Sequence, residues 1–189
     1  MHGKLILVIG PTGSGKSVLL AYLHKQMLEL VFPISCTTRT MRPGEIAGEK
    51  YYFINKEEFE QRENRGDFLE WAVYGGNYYG TLKSEILPAI ELGKTVVREV
   101  EVQGARQIQK LLPKEKLKVL FIDAGSWEQL EKRVRARAPI TEVELLARRK
   151  RYEDETTFMV EADRVVDNLD GGLEQAKKDF VAAIQKLAE

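Results

Sequence analysis

Apolar residues first gather in an unbroken run, Leu5-Ile6-Leu7-Val8-Ile9. A half-buried strand would alternate, so this run predicts a strand covered on both faces of a parallel sheet. Glycines follow at once. From Ser17 to Leu30 the positions Leu19, Leu20, Leu23, Met27 and Leu30 recur at helical spacing, so the chain opens as strand, glycine turn, helix. Val31-Phe32-Pro33-Ile34 predicts a second buried strand, weakened by Pro33, which has no N–H for a ladder. Between Thr37 and Tyr79 the pattern changes to a polar loop, a strand at Tyr51-Tyr52-Phe53-Ile54, a helix opened by Asn55 with Glu58 as capping partner, and a strand from Phe68 to Tyr74. This is a small mixed lobe. The α/β alternation then resumes with a helix near 82–92, a strand at 95–100, a helix at 103–112 and a strand at 119–122. The pairs Ser126/Gln129 and Thr141/Glu144 each open a further helix as capping boxes, and a strand at Val165-Val166 precedes a last helix from Gly172 to Leu187.

Composition narrows the classes. Over 189 residues, 29 Lys+Arg balance 29 Asp+Glu, which argues against coating a nucleic-acid polymer. Hydrophobic residues at 43% and charged residues at 31% suit one globular domain with a core. The single cysteine, Cys36, excludes a disulfide framework, and with only His2 and His24 beside it a cysteine-based metal site is not expected. No stretch approaches the roughly 18 to 20 apolar residues of a membrane span. A cytoplasmic protein is the expectation.

The turn after the first strand reads Gly10-Pro11-Thr12-Gly13-Ser14-Gly15-Lys16-Ser17, a full match to the phosphate-binding loop pattern in its required strand-to-helix context. Glycines let the backbone curl so that N–H groups point at phosphate oxygens, and the helix dipole adds partial positive charge. Lys16 supplies a full charge, and the Ser17 hydroxyl is a ligand for the Mg²⁺ that bridges the outer phosphates of ATP. Such loops serve ATPases, GTPases, kinases of small molecules and motors alike, so the fate of the γ-phosphate stays open here.

A second group of residues bears on the acceptor. Arg39 and Arg42 stand three apart in a polar loop, where they read either as a forked clamp for a second phosphate or as solvated surface arginines. Glu70, in Phe68-Leu69-Glu70-Trp71, reads on its own as an outward residue of an alternating strand. Together with Ser35-Cys36-Thr37-Thr38-Arg39-Thr40-Met41-Arg42-Pro43-Gly44-Glu45, Tyr51-Tyr52-Phe53, Gly76-Asn77-Tyr78-Tyr79-Gly80-Thr81 and Val102-Gln103-Gly104-Ala105, it resembles guanylate kinase from about Lys4 to Asn168. The resemblance implies a P-loop kinase with a parallel sheet core at 1–36, 82–125 and 157–189, a GMP-binding lobe at 37–81 and a helical lid at 126–156. It implies transfer of the ATP γ-phosphate to GMP, with dGMP as a further candidate acceptor. Gly10 to Ser17 and Asn168 would then hold ATP, with Ser17 on the metal. Ser35, Arg39, Arg42, Tyr51 and Tyr79 would hold the GMP phosphate, and Glu70 and Thr81 would contact guanine, with Glu99 and Glu101 completing that site. The chemistry is direct: guanine offers N–H donors at N1 and N2 that one carboxylate accepts, whereas adenine offers an acceptor at N1.

Two departures stand out. The family's Glu-x-Asp-x-Gln-Gly is here Glu99-Val100-Glu101-Val102-Gln103-Gly104, and Arg98 precedes it where an apolar or small residue is more usual. The lid's Gly-Arg-Gly-Thr stretch corresponds to Ala136-Arg137-Ala138-Pro139-Ile140-Thr141. Its basic character survives: residues 131–151 hold eight Lys or Arg against three Asp or Glu. The run reads as a lid that neutralises transferring phosphates, with a solvated helix face as the alternative. Arg133, Arg137 and Arg149 align with the catalytic arginines of the resemblance, and Arg148 is an alternative to the last. Two other readings stay open: a guanylate kinase-like protein-binding module without catalysis, and a kinase for another phosphorylated acceptor.

Overall fold

The computed structural model describes residues 3–137 and 139–189, with Arg137 described in its backbone only. In chain order the elements are β1 (Lys4–Ile9), α1 (Lys16–Gln26), β2 (Ser35–Thr37), β3 (Tyr51–Phe53), α2 (Lys56–Asn64), β4 (Phe68–Tyr74), β5 (Asn77–Leu82), α3 (Lys83–Glu91) and β6 (Thr95–Glu99). There follow α4 (Val102–Leu111), β7 (Leu117–Asp123), α5 (Trp127–Arg137), α6 (Glu142–Thr156), a 3-10 turn (Thr157–Glu161), β8 (Arg164–Asp167) and α7 (Leu173–Ala188). Two sheets result, one in the order β6-β1-β7-β8 and one in the order β3-β2-β5-β4. This is the α/β fold with a parallel four-stranded sheet and a second, mixed sheet that the alternation predicts. The described residues divide into two compact units, Glu29–Leu117 with residues 3–5, and Ile6–Leu28 with Lys118–Glu189.

In the second unit β7 pairs in parallel with β8, from Leu120 opposite Arg164 to Asp123 opposite Asp167. Ile6 to Ile9 of β1 are at most 1% exposed, as a doubly covered strand requires. α7 buries Ala176, Phe180, Ile184 and Leu187, spaced four, four and three apart, and packs against α1. α6 begins at the expected capping box: the Thr141 hydroxyl accepts from Glu144 N, and the Glu144 carboxylate accepts from Thr141 N at 3.0 Å.

The first unit carries the mixed sheet. β2 pairs in parallel with β3 and antiparallel with β5, which pairs antiparallel with β4. One row therefore runs Tyr51, Ser35, Thr81, Glu70 across all four strands. A register shift between Phe68 and Glu70 puts the carboxylate in that row. The opposite face is apolar, with Cys36, Phe59, Phe68 and Leu82 in one cluster and the Phe59 and Phe68 rings stacked at 4.4 Å. Gly80 makes room for that stack, since a Cβ there would lie 2.8 Å from the Phe68 ring.

Three expectations change. The strand expected at 31–34 shrinks to a single bridge, Val31 with Val96, and β2 begins only at Ser35, past the proline that cannot pair. α1 ends at Gln26, although Met27 and Leu30, which continue its periodicity, are still buried. β5, between Gly76 and the 80s, is a strand that the hydrophobic pattern does not show.

Candidate active site

The phosphate loop joins β1 to α1, and its backbone demands glycine. Gly15 caps α1 at φ 91°, and a Cβ there would overlap the Asn168 amide; at Gly10 a Cβ would sit 2.5 Å from Ile122 O. The Asn168 Nδ2 donates to Ser14 O at 2.7 Å, so this buried residue straps the loop from the end of β8. Lys16, 6% exposed, folds its ammonium back onto the loop, donating to Gly10 O at 2.5 Å and Pro11 O at 3.2 Å. Ser17 is exposed on the first turn of α1, where helix N–H groups have no intrahelical partner. The Ser14 hydroxyl is buried without a hydrogen-bond partner. A buried polar group left this way costs about 1–3 kcal/mol, and a ligand oxygen would remove that cost.

The arginines of the expected lid separate. Arg133 donates to Asn168 O and to Asp170 Oδ1, both at 2.7 Å, which ties α5 to the residue that straps the loop. Arg148 lines a small cavity with Pro11 and Thr12 of the loop, Trp127 and Tyr152. Arg149 is exposed and paired along its own helix with Glu153 at 3.2 Å. The side chain of Arg137, like Ala138, lies outside the described residues.

The residues expected to hold the acceptor all belong to the first unit, and strand register gathers several of them. Ser35, Tyr51, Tyr79, Thr81 and Glu70 share one face of the mixed sheet, where alternate residues of each strand point the same way. Glu70 is 7% exposed and accepts from the Thr81 hydroxyl at 2.5 Å; Ser35 Oγ stands 3.5 Å from the same hydroxyl. Burial pushes the Glu70 carboxyl above its ordinary value, opposed by the Arg98 charge and the Thr81 hydrogen bond and reinforced by Glu101. Gly104, in the first turns of α4, leaves space for that carboxylate, since a Cβ would lie 2.5 Å from Glu70 Oε2. Gln107 on the same helix clamps the adjacent backbone, accepting from Trp71 N at 3.1 Å and donating to Trp71 O at 2.8 Å.

Arg39 stacks 5.2 Å over the Tyr51 ring and gives both ends of its fork to Glu45, at 2.7 and 2.8 Å. Glu45 also accepts from Arg42 N at 2.7 Å. These bonds hold the Glu45 carboxyl down at about 2. Burial raises Tyr51. Arg42 itself is exposed, Glu99 ends β6, and Glu101 is exposed at the N-cap of α4 with no capping bond from its side chain.

Four residues were given no role in the sequence reading: Glu45 and Gly104, which lie within its motifs, Arg98, which stands there only as a departure, and Gln107. Glu45 had a signal, because Pro43-Gly44 is a turn pair with Gly44 at φ 84°, and the turn returns Glu45 N to Arg42 O at 3.1 Å. The other three depend on which helix or strand lies beside β4 and β5, and no local pattern states that.

Comparison with known proteins now bears on the two sites. A family model described as guanylate kinase matches residues 2–187. A guanylate kinase of Trichormus variabilis is 42% identical over 185 residues, covering 98% of this chain and 87% of the relative. One of Prochlorococcus marinus is 42% identical over 179 residues, covering 94% and 96%, and one of Thermotoga maritima is 38% identical over 176 residues, covering 92% and 84%. Among solved structures, the guanylate kinase of Anaplasma phagocytophilum superposes with a TM-score of 0.75 at 24% identity, covering 98% of this chain and 86% of that one, a likeness of fold.

Proposed function

The chain belongs to the guanylate kinase family, and from that premise we propose how its residues divide the work. It is an ATP:GMP phosphotransferase, moving the γ-phosphate of ATP to the phosphate of GMP and giving ADP and GDP. The assignments that follow are carried by one observation, the row that sets a buried carboxylate and its hydroxyl donor, Glu70 and Thr81, on the face shared by Ser35, Tyr51 and Tyr79.

The loop from Gly10 to Ser17 takes the ATP phosphates, with Asn168 holding its shape. Lys16 moves off the loop carbonyls onto the outer phosphates. The residues fit a magnesium nucleotide: Ser17 offers an accessible hydroxyl at the helix start, and among the described residues no group of three or more His, Cys, Asp and Glu gathers for a metal. Mg²⁺ would therefore be held by Ser17, the phosphates and water, the habit of this ion, and it supplies neutralisation of the outer phosphate charge.

Arg39, Arg42, Tyr51, Tyr79 and Ser35 hold the GMP phosphate. Because Glu45 already occupies the Arg39 fork, the phosphate must share or displace it. Glu70 accepts from guanine N1–H and N2–H, with Thr81 beside it and Glu99 and Glu101 at the rim. No general base is needed, since the GMP phosphate is itself an anionic nucleophile. Positioning and charge neutralisation remain, and Lys16, Arg133, Arg137 and Arg148 supply the charge, with Arg149 the less favoured alternative to Arg148 because Glu153 already pairs it.

We place the protein in the cytoplasm, where both nucleotides are supplied and Cys36 stays a thiol. Among the described residues no helix is long and apolar enough to cross a membrane.

Calorimetric titration tests the division. Glu70→Gln should weaken GMP and leave a non-hydrolysable ATP analogue unaffected, and Lys16→Ala should do the reverse. Equal losses of both ligands in either variant would overturn it.

A further inference from the structure

Arg98 sits near the end of β6, in a strand whose preceding residues Val96 and Val97 are buried valines. A half-buried arginine there calls for a partner, and it has one: Nε donates to Thr81 Oγ1 at 3.2 Å. A guanidinium has donors and no acceptor, so this bond can run in one direction only. It occupies a lone pair of the Thr81 oxygen. The single Thr81 proton then goes to the other neighbour, Glu70 Oε1, at 2.5 Å. Ser35 Oγ, 3.5 Å from the same oxygen, is left as the donor in that contact. The whole row is thereby polarised toward Glu70, from Arg98 and Ser35 through Thr81.

We propose that Arg98 is a specificity-determining positioning residue of the acceptor-base site, acting through Thr81 so that Glu70 presents acceptors only. The inference rests on Glu70 reading the guanine edge. A carboxylate meets the two guanine N–H groups, whereas a protonated Glu70 would turn an O–H toward N1–H and could instead donate to the N1 acceptor of adenine. Groups on three elements act on this choice: Thr81 on β5 and Arg98 on β6 favour the carboxylate, and Glu101 at the start of α4 opposes it, as does burial of Glu70 against Gly104. Arg98 also acts on Tyr51, favouring its ionised form against burial. An apolar residue at position 98 would leave burial and Glu101 opposed by the hydroxyl and backbone N–H of Thr81 without a charge.

The test is steady-state kinetics with GMP and AMP at saturating ATP and Mg²⁺ from pH 5 to 9, on wild type, Arg98→Leu, Arg98→Gln and Arg98→Lys. Removing a charge partner moves a carboxylate by about one unit or more. For Arg98→Leu we expect the pH below which KM for GMP climbs to move up by about that unit, KM for GMP at pH 7 to rise about tenfold, and KM for ATP and kcat to hold. The preference for GMP over AMP falls with it. Arg98→Gln keeps a stem and a donor without the charge and should show the same pH displacement; Arg98→Lys restores the charge and should return the midpoint to that of wild type. Should Arg98→Leu lose binding of the ATP analogue too, the fold has suffered and Arg98→Gln decides. An Arg98→Gln midpoint equal to wild type overturns the proposal. Glu70→Gln separates the two levels: if it leaves KM for GMP untouched, the reading of Glu70 fails; if it raises KM while the Arg98 neutral variants do not, the role of Arg98 alone fails.

Discussion

At the scale of single residues, the site sets stability against function. Burial raises the Glu70 carboxyl, so between its unfolded and folded values the folded protein binds a proton that the unfolded chain releases. Its contribution is therefore fully present below the unfolded value and is lost as pH rises through the raised folded value. Glu70→Gln should remove that slope. The variant is expected to melt at or above the wild-type temperature at pH 8 and to lose the advantage at pH 4, which a melting series across pH reads directly. The same substitution should weaken GMP, because an amide accepts at one atom and donates at the other. Lys16→Ala makes a complementary prediction. Its ammonium donates to the loop carbonyls Gly10 O and Pro11 O, and turnover at saturating substrates should fall by a hundredfold or more, the order seen when one charge-stabilising group is removed. Retention of a tenth of wild-type turnover would contradict that role. Lys16 was singled out in the sequence by its loop motif, and Glu70 only through the family resemblance, since on its own it reads as an outward strand residue. Arg98 and Gln107 had no role there, since their partners Thr81 and Trp71 lie 17 and 36 residues away and meet them only through tertiary packing.

At the scale of elements, α4 positions β4, the strand that carries Glu70. It gives Gln107 to the Trp71 backbone and its Gly104 leaves room for the Glu70 carboxylate. Gly104→Ala sets two effects against each other. Alanine favours the helix by about 1 kcal/mol, yet its Cβ would displace Glu70, and misplacement of about 1 Å can cost some hundredfold in rate. We predict an unchanged or higher melting temperature with a KM for GMP at least tenfold higher and KM for ATP unaltered; equal KM values for GMP in both proteins would show that the carboxylate has another place to go. The capping box of α6 makes a simpler case, and Thr141→Ala should cost about 1 kcal/mol in chemical denaturation. That helix start was readable because its signal is local. The loss of the strand expected at 31–34 was half readable, since Pro33 warned of it. β5 was not: its residues Asn77 to Thr81 show no alternation of apolar and polar positions, and they form a strand because β2 and β4 stand on either side to pair with them. The basic run of 131–151 resolves residue by residue. Arg135 is held by Glu131 and Glu142 and Arg149 by Glu153, solvated pairs worth little, while Arg133 and Arg148 lie by the phosphate loop or its strap.

At the scale of the molecule, the account requires two recognition sites of different kind on one chain, one for the phosphates of a donor and one for the base and phosphate of an acceptor. In this account the second is selective because a buried carboxylate cannot satisfy the wrong edge. Discrimination by unpaired buried polar groups reaches about 10⁴ to 10⁵. The direct measurement is the initial rate of ADP formation with ATP and Mg²⁺ when GMP, dGMP, AMP, CMP or UMP is offered as acceptor. The account predicts rapid ADP formation with GMP and at least a thousandfold lower kcat/KM with AMP, CMP and UMP. A rate equal for all of these acceptors, or no ADP formed above the acceptor-free background with GMP, would contradict it.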